Sequence, residues 1–469
     1  MTDSSSEKLI WPISLLLSAV VVLLILKLED PLASLAAVAA VPMVVWLCLR
    51  PKRLVYATIV YCFCCKLLVG DFGFPSILNY GYDGLIALAL FFALLQERKA
   101  STSKRDWGIA GLIVLLFAFT CVASALLNTV QPMLFLWAFR NVFRFFAFFY
   151  CCVVFLDRKD VAFVVKAFGI VFLVNAVIIC FQALVLGFGT DNSNGVFGTL
   201  SGGNAPSNLL LLCISAYTLY RYLDHRAGIF EVVLVIGVSA LVASVADLKV
   251  YFIELGLLIP MALLSGRHSL KTFVLCLVMP ILLIAGIAFL YTITPELAGF
   301  FSEDGVMGYA GGSGYSNADN LNRFTAITTL TNMFMTDGGK LAFGLGFGAG
   351  QYSQFFESPL YSVWGNTLNW TWFTDASIFL ETGWVGLVLF GSFFVSVAYY
   401  AWSRRGTVPR EDVWLMRASM CLALFCILLM VYNSTLTVDP GGYMIMLLLS
   451  FPYICVNDCK EETVVHVQA

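Results

Sequence analysis

Arg140 and Arg144 stand four residues apart in WAFRNVFRFFAFFY (residues 137–150), a stretch otherwise almost wholly aromatic and aliphatic. On a helix they share a face about one turn apart. Inside a bilayer each costs roughly 2.5–3.5 kcal/mol unless it faces protein, water or a counter-anion. Such a pair can hold an anion, pair with internal acids such as Asp247 or Glu254, or reach for the nearer surface. A second candidate is Asp375, which opens the later apolar run FTDASIFLETGWVGLVLF. There a carboxylate can take a proton from a hydroxyl or cap a helix. Glu381 lies about 240° further round the same helix, so the two acids form no obvious pair. In VADLKVYFIEL, helical spacing puts Asp247, Tyr251 and Glu254 on one face and Lys249 on another, a pattern that also suits an interhelical ion-pair network.

The elements that must position these residues are membrane helices. Of 469 residues, 60% are hydrophobic and 12% charged, about half the charged fraction usual for soluble domains, and the mean hydropathy is +0.89. Apolar runs of spanning length predict about fourteen helices, near 10–28, 32–49, 54–69, 80–95, 107–127, 133–156, 161–187, 205–222, 229–245, 250–265, 272–292, 374–400, 412–432 and 441–456. The first is expected to be a retained span, because a second apolar run follows it closely. With the N-terminus inside, 20 of the 27 Lys and Arg fall on the cytoplasmic side, in loops such as RPKR, DRKD and SRRGTVPR. Five (Lys27, Lys66, Lys249, Arg323, Lys340) fall on the other side. That bias supports both the helix count and a topology with both termini inside. His225, His268 and His466 are the only histidines, all predicted cytoplasmic.

Three regions follow: helices one to eleven over 1–293, an outer loop over 294–373, and three more helices with a tail over 374–469. In the loop, MGYAGGSGYSNADN is flexible by composition, RFTAITTLTNMFM reads as an amphipathic helix, and the aromatic remainder suits a membrane surface. A smaller outer loop, GFGTDNSNGVFGTLSGGNAPSN, is expected to join it in roofing a cavity. GLGFGAG has a dinucleotide-like glycine pattern without a βαβ unit around it, and reads as a tight turn. The 14 cysteines fall mostly within predicted spans and read as small apolar packing residues. A net charge of −2 and no basic tail give no sign of a nucleic-acid partner.

An Arg-Phe helix, then GLGFG, then a polar residue ahead of LETGWVGL, together with GTLSGGNAPSNLLLL, resemble the outer loops of the O-antigen ligase and Wzy-type polysaccharide polymerase superfamily. The resemblance implies an all-α polytopic fold, GT-C-like, in a bacterial inner membrane with the active site facing the periplasm. It implies a metal-independent glycosyltransferase, without cofactor, that takes glycan from undecaprenyl pyrophosphate and joins it to an acceptor sugar. Its partners would be the lipid-linked donor and acceptor, the bilayer, and a chain-length regulator and flippase. Arg140, Arg144 and Lys249 would then bind pyrophosphate, Arg323 and Asp375 act in catalysis, and Asn204, Tyr251 and Glu381 support them. Ligases usually carry a histidine near the position of Asp375, so a polymerase of O-antigen or exopolysaccharide repeat units is the expected activity. A ligase acting on lipid A core is the alternative. A polysaccharide transporter, flippase or structural export component is expected to show internal repeats and mid-membrane polar residues in several helices.

Overall fold

A computed structural model describes residues 42–99, 107–199, 202–265, 270–293, 319–353 and 355–468. The expected spans 10–28 and most of 32–49, and the flexible start of the large loop, lie outside the described residues. The other twelve expected spans each coincide with a helix. In chain order these are α1 (Lys52–Gly70), α2 (Gly81–Lys99), α3 (Gly108–Leu127), α4 (Pro132–Phe155), α5 (Arg158–Leu184), α6 (Asn204–Leu223), α7 (Ile229–Val245), α8 (Lys249–Ser265) and α9 (Leu270–Ile293). Two loop helices follow, α10 (Ala326–Phe334) and α11 (Gly338–Phe343), then α12 (Thr374–Arg404), α13 (Val413–Tyr432) and α14 (Gly441–Gln468). Among the described residues the only β pairing is an isolated bridge between Tyr352 and Glu357. Nine helical segments there are long and apolar enough to cross a membrane, so the chain is an all-α polytopic membrane protein.

The helices stop where the sequence makes them stop. Pro132 begins α4, where a missing N–H is harmless. Between α4 and α5, Asp157 accepts from the Lys159 and Asp160 amides while the Asp160 carboxylate accepts from the Asp157 amide, a reciprocal cap. α6 and the first part of α14 are buried along almost their whole length. Around them α4 packs on α2 and α14, α13 on α6 and α12, and α12 on α3. Apolar side chains on α3, α5, α7 and α9, among them Leu126, Val177, Phe230 and Ile284, point away from the protein, where lipid can cover them. The 13 described cysteines are free and ten are buried.

α12 is broken. Gly383, at φ 62° and ψ −163°, interrupts it, and the turn after α11 enters the gap. A Cβ at Gly344 would lie 2.4 Å from the Glu381 carbonyl carbon, and one at Gly383 would lie 2.4 Å from the Ala342 carbonyl carbon. The freed carbonyls find partners: the Leu345 amide donates to Leu380 O at 2.9 Å, and Ser124 Oγ lies 2.8 Å from Glu381 O. A helix can be interrupted within a membrane only where protein re-satisfies its backbone in this way. The GLGFG turn is thus a wedge between helices.

One end of the bundle is tied by charge. Lys52 Nζ lies 2.9 Å from Asp157, Arg158 Nη2 2.6 Å from Asp412, and the Arg158 amide donates to Asp458 at 2.7 Å. The loops expected on the cytoplasmic side therefore meet at one end. The sequence placed Asp247 on a face of α8. The helix instead begins at Lys249, and Asp247 sits before it at φ 54°.

Candidate functional site

At the other end, a continuous polar chain runs from α12 to the loop before α14. Glu381 Oε1 accepts from the Gly350 amide at 3.0 Å and from Gln351 Nε2 at 2.9 Å. Gln351 Oε1 accepts from Asn141 Nδ2 at 3.1 Å, and Asn141 Oδ1 from Arg140 Nη1 at 2.8 Å. Arg140 donates to Asp83 through Nε, at 3.0 Å, and through Nη2. Arg144 follows, with Nη1 3.7 Å from Asp83 Oδ1 and Nη2 3.0 Å from Asp439 Oδ2. Helical geometry explains the shared acid: residues 140 and 144 lie one turn apart on α4, so a single carboxylate on α2 reaches both.

Beside this chain is a cavity of about 420 Å³ whose wall includes Lys66, Asn141, Arg144, Gln351, Tyr361, Glu381 and Asp439. Tyr352, also on the wall, stacks on Tyr361 with ring centroids 4.9 Å apart. Arg144 is largely buried, beside the rings of Phe145 and Tyr443. Its Nε and Nη1 make no hydrogen bond, nor does Asp439 Oδ1. Burial pushes the Asp439 carboxyl above the ordinary carboxylate range, against the pull of Arg144, Lys66 and Arg140.

The expected site residues separate into three groups. Arg140, Arg144 and Glu381 belong to the chain just described, although Arg140 does not line the cavity; its guanidinium lies 4.7 Å from the Trp137 ring centroid and 5.1 Å from that of Tyr80. The acids that hold the arginines are Asp83 and Asp439, in place of Asp247 or Glu254. Arg323 and Asp375 meet a different corner. Arg323 is buried with its guanidinium 4.5 Å from the Tyr432 ring centroid, and Thr374, next to Asp375, donates to Asn433 O. Asp375 is not on the cavity wall. It accepts from the Ala376 amide at 2.7 Å, whereas Ser377, Ile378 and Glu381 face the cavity from the same helix.

Lys249, Asn204 and Tyr251 form the third group. Lys249 pairs with Asp247 at 3.0 Å, Asn204 donates to Asp191 at 3.1 Å, and the buried Tyr251 hydroxyl lies 2.8 Å from Ser215 Oγ. Burial raises the Asp247 pKa, Lys249 opposes that, and Asp191 adds to it. Glu254 accepts from Asn208 at 2.8 Å. None of these residues lines the cavity.

Lys66, Asp83, Gln351, Tyr361 and Asp439 were missed as site residues. Asp83 carried a usable signal, an acid within an apolar run. Lys66 was visible as one of the few basic residues off the cytoplasmic side, whereas Asp439 lies between spans, where a charge is unremarkable. Fold and site together define a helical membrane protein with a charged cavity at one end of its bundle. No family model and no curated protein matches the chain.

Proposed function

We propose that this protein is an inner-membrane glycosyltransferase of the Wzy polymerase type, joining undecaprenyl-pyrophosphate-linked repeat units into O-antigen or exopolysaccharide on the periplasmic face. The observation that carries this reading is the cavity wall, which sets Arg144 and Lys66 together with Glu381, Gln351 and two stacked tyrosines. Breaking a sugar–phosphate bond develops charge on the pyrophosphate, which preorganised cations in a water-poor site stabilise. Proton removal from the acceptor hydroxyl needs a carboxylate within reach. Glu381 takes that role here in place of Asp375, because it is the one of the two that faces the cavity. Arg323 packs against Tyr432 and Asp375 adjoins Thr374, which is tied to Asn433; Lys249 pairs with Asp247 in the turn ahead of α8, Asn204 ties to Asp191, and Tyr251 ties α8 to α6 through Ser215.

The test is polymer formation from purified lipid-linked repeat units by the reconstituted full-length chain. Ladders of multiple repeat lengths are expected. Products confined to single units, with donor consumed or moved across the bilayer, would refute the reading.

A further inference from the structure

Arg144 and Arg140 carry equal charge, but only one has donors left over. Arg140 gives Nε and Nη2 to Asp83 and Nη1 to Asn141. Arg144, with 10% of its side chain exposed, has one contact of hydrogen-bond length, to Asp439, and its Nε and Nη1 are buried without an acceptor. Buried guanidinium donors are rarely left unmatched, and an arginine fork matches a phosphate through two parallel bonds. Asp439 offers Arg144 one oxygen; its other oxygen has no donor. Lys66 shares the cavity wall with both, and no ion pair joins it to a described carboxylate.

We infer that Lys66 and Arg144 are the pair that binds a phosphate-bearing dianion in this cavity, and that Asp439 is an internal competitor which the anion displaces from Arg144. The identification of the anion as a lipid-linked pyrophosphate rests on the proposed function; the anion site itself rests on the two cations and the half-used carboxylate. Arg140 anchors the arrangement without touching the ligand. Asp439 keeps Arg144 in place until an anion better matched to its fork arrives.

The experiment titrates inorganic pyrophosphate into the full-length protein in nanodiscs by calorimetry, with undecaprenyl pyrophosphate in the bilayer as competitor. Lys66→Gln should weaken binding by about tenfold or more, and Lys66→Arg should recover most of it. Asp439→Asn should tighten binding several-fold. Asp71→Asn removes a charge held by Thr199 and should leave binding unchanged, which separates competition for Arg144 from a general gain in positive field. Displacement of pyrophosphate by the lipid would identify the lipid headgroup as the source, and no displacement a free anion. The inference is overturned if the wild type does not bind pyrophosphate, if Lys66→Gln binds as the wild type does, or if Asp439→Asn fails to tighten binding. Normal pyrophosphate binding without polymer would sink the polymerase reading alone. Polymer formation with unaltered Lys66→Gln and Asp439→Asn binding would sink this inference alone.

Discussion

At the scale of single residues, position relative to the cavity separates side chains that the sequence could only rank by type. Asp375 and Glu381 are both acids near the start of α12, and only Glu381 is on the cavity wall. Glu381→Gln keeps an oxygen able to accept from the Gly350 amide and Gln351, so the fold should persist while proton acceptance is lost. Polymer formation per folded protein should fall by about 10²–10⁴-fold. Phe373, not Asp375, is the cap residue of α12; Asp375→Asn should stay near normal, since an amide oxygen can still accept from the Ala376 amide, and Asp375→Ala should cost about 0.5–1.5 kcal/mol in stability for the lost hydrogen bond. The reverse order of activities would return the base to Asp375. Arg144 was legible as a candidate because a charge in an apolar run needs a partner. The identity of that partner was not, since Asp83 and Asp439 lie on other elements and reach it only through the packing of α2, α4 and α14.

At the scale of elements, hydropathy located helices well and interruptions poorly. Each of the twelve expected spans within the described residues has a helix, and nine of these are long and apolar enough to cross a membrane, where an apolar run can satisfy its backbone in no other way. The break in α12 left no such trace: LETGWVGL reads as continuous apolar helix, and the wedge that opens it comes from about forty residues earlier in the chain. Gly344 and Gly383 have φ of 75° and 62° and close backbone neighbours. Alanine at either position meets both strain and a clash that no rotamer relieves, so a loss of at least about 1–3 kcal/mol is expected. Thermal unfolding in detergent measures this. Gly237→Ala, within α7 and with open space around its Cβ, should be neutral or stabilising. Equal midpoints for all three variants would show that the wedge contributes nothing.

At the scale of the whole molecule, the two ends differ in how they handle charge. One end links its loops by ion pairs among Lys52, Asp157, Arg158 and Asp412, while the other gathers the cavity. Cysteines introduced at Ser362, in the loop beside the cavity, and at Thr407, between α12 and α13, should be labelled by a membrane-impermeant maleimide from opposite sides, Ser362 from the periplasm. Labelling of both from one side would overturn the topology and the proposed site with it. Helix length has a further consequence for the surrounding bilayer. α5 has 27 residues and α7 has 17, which are about 40 Å and about 26 Å of helix. Set against a hydrocarbon layer of about 30 Å, the first must tilt or protrude and the second falls short. α7, shorter than the nine segments of spanning length, also turns Phe230 and Leu234 outward, so covering it with lipid would require the bilayer beside it to thin or residues at its ends to reach for the headgroups, a demand that α5 does not make.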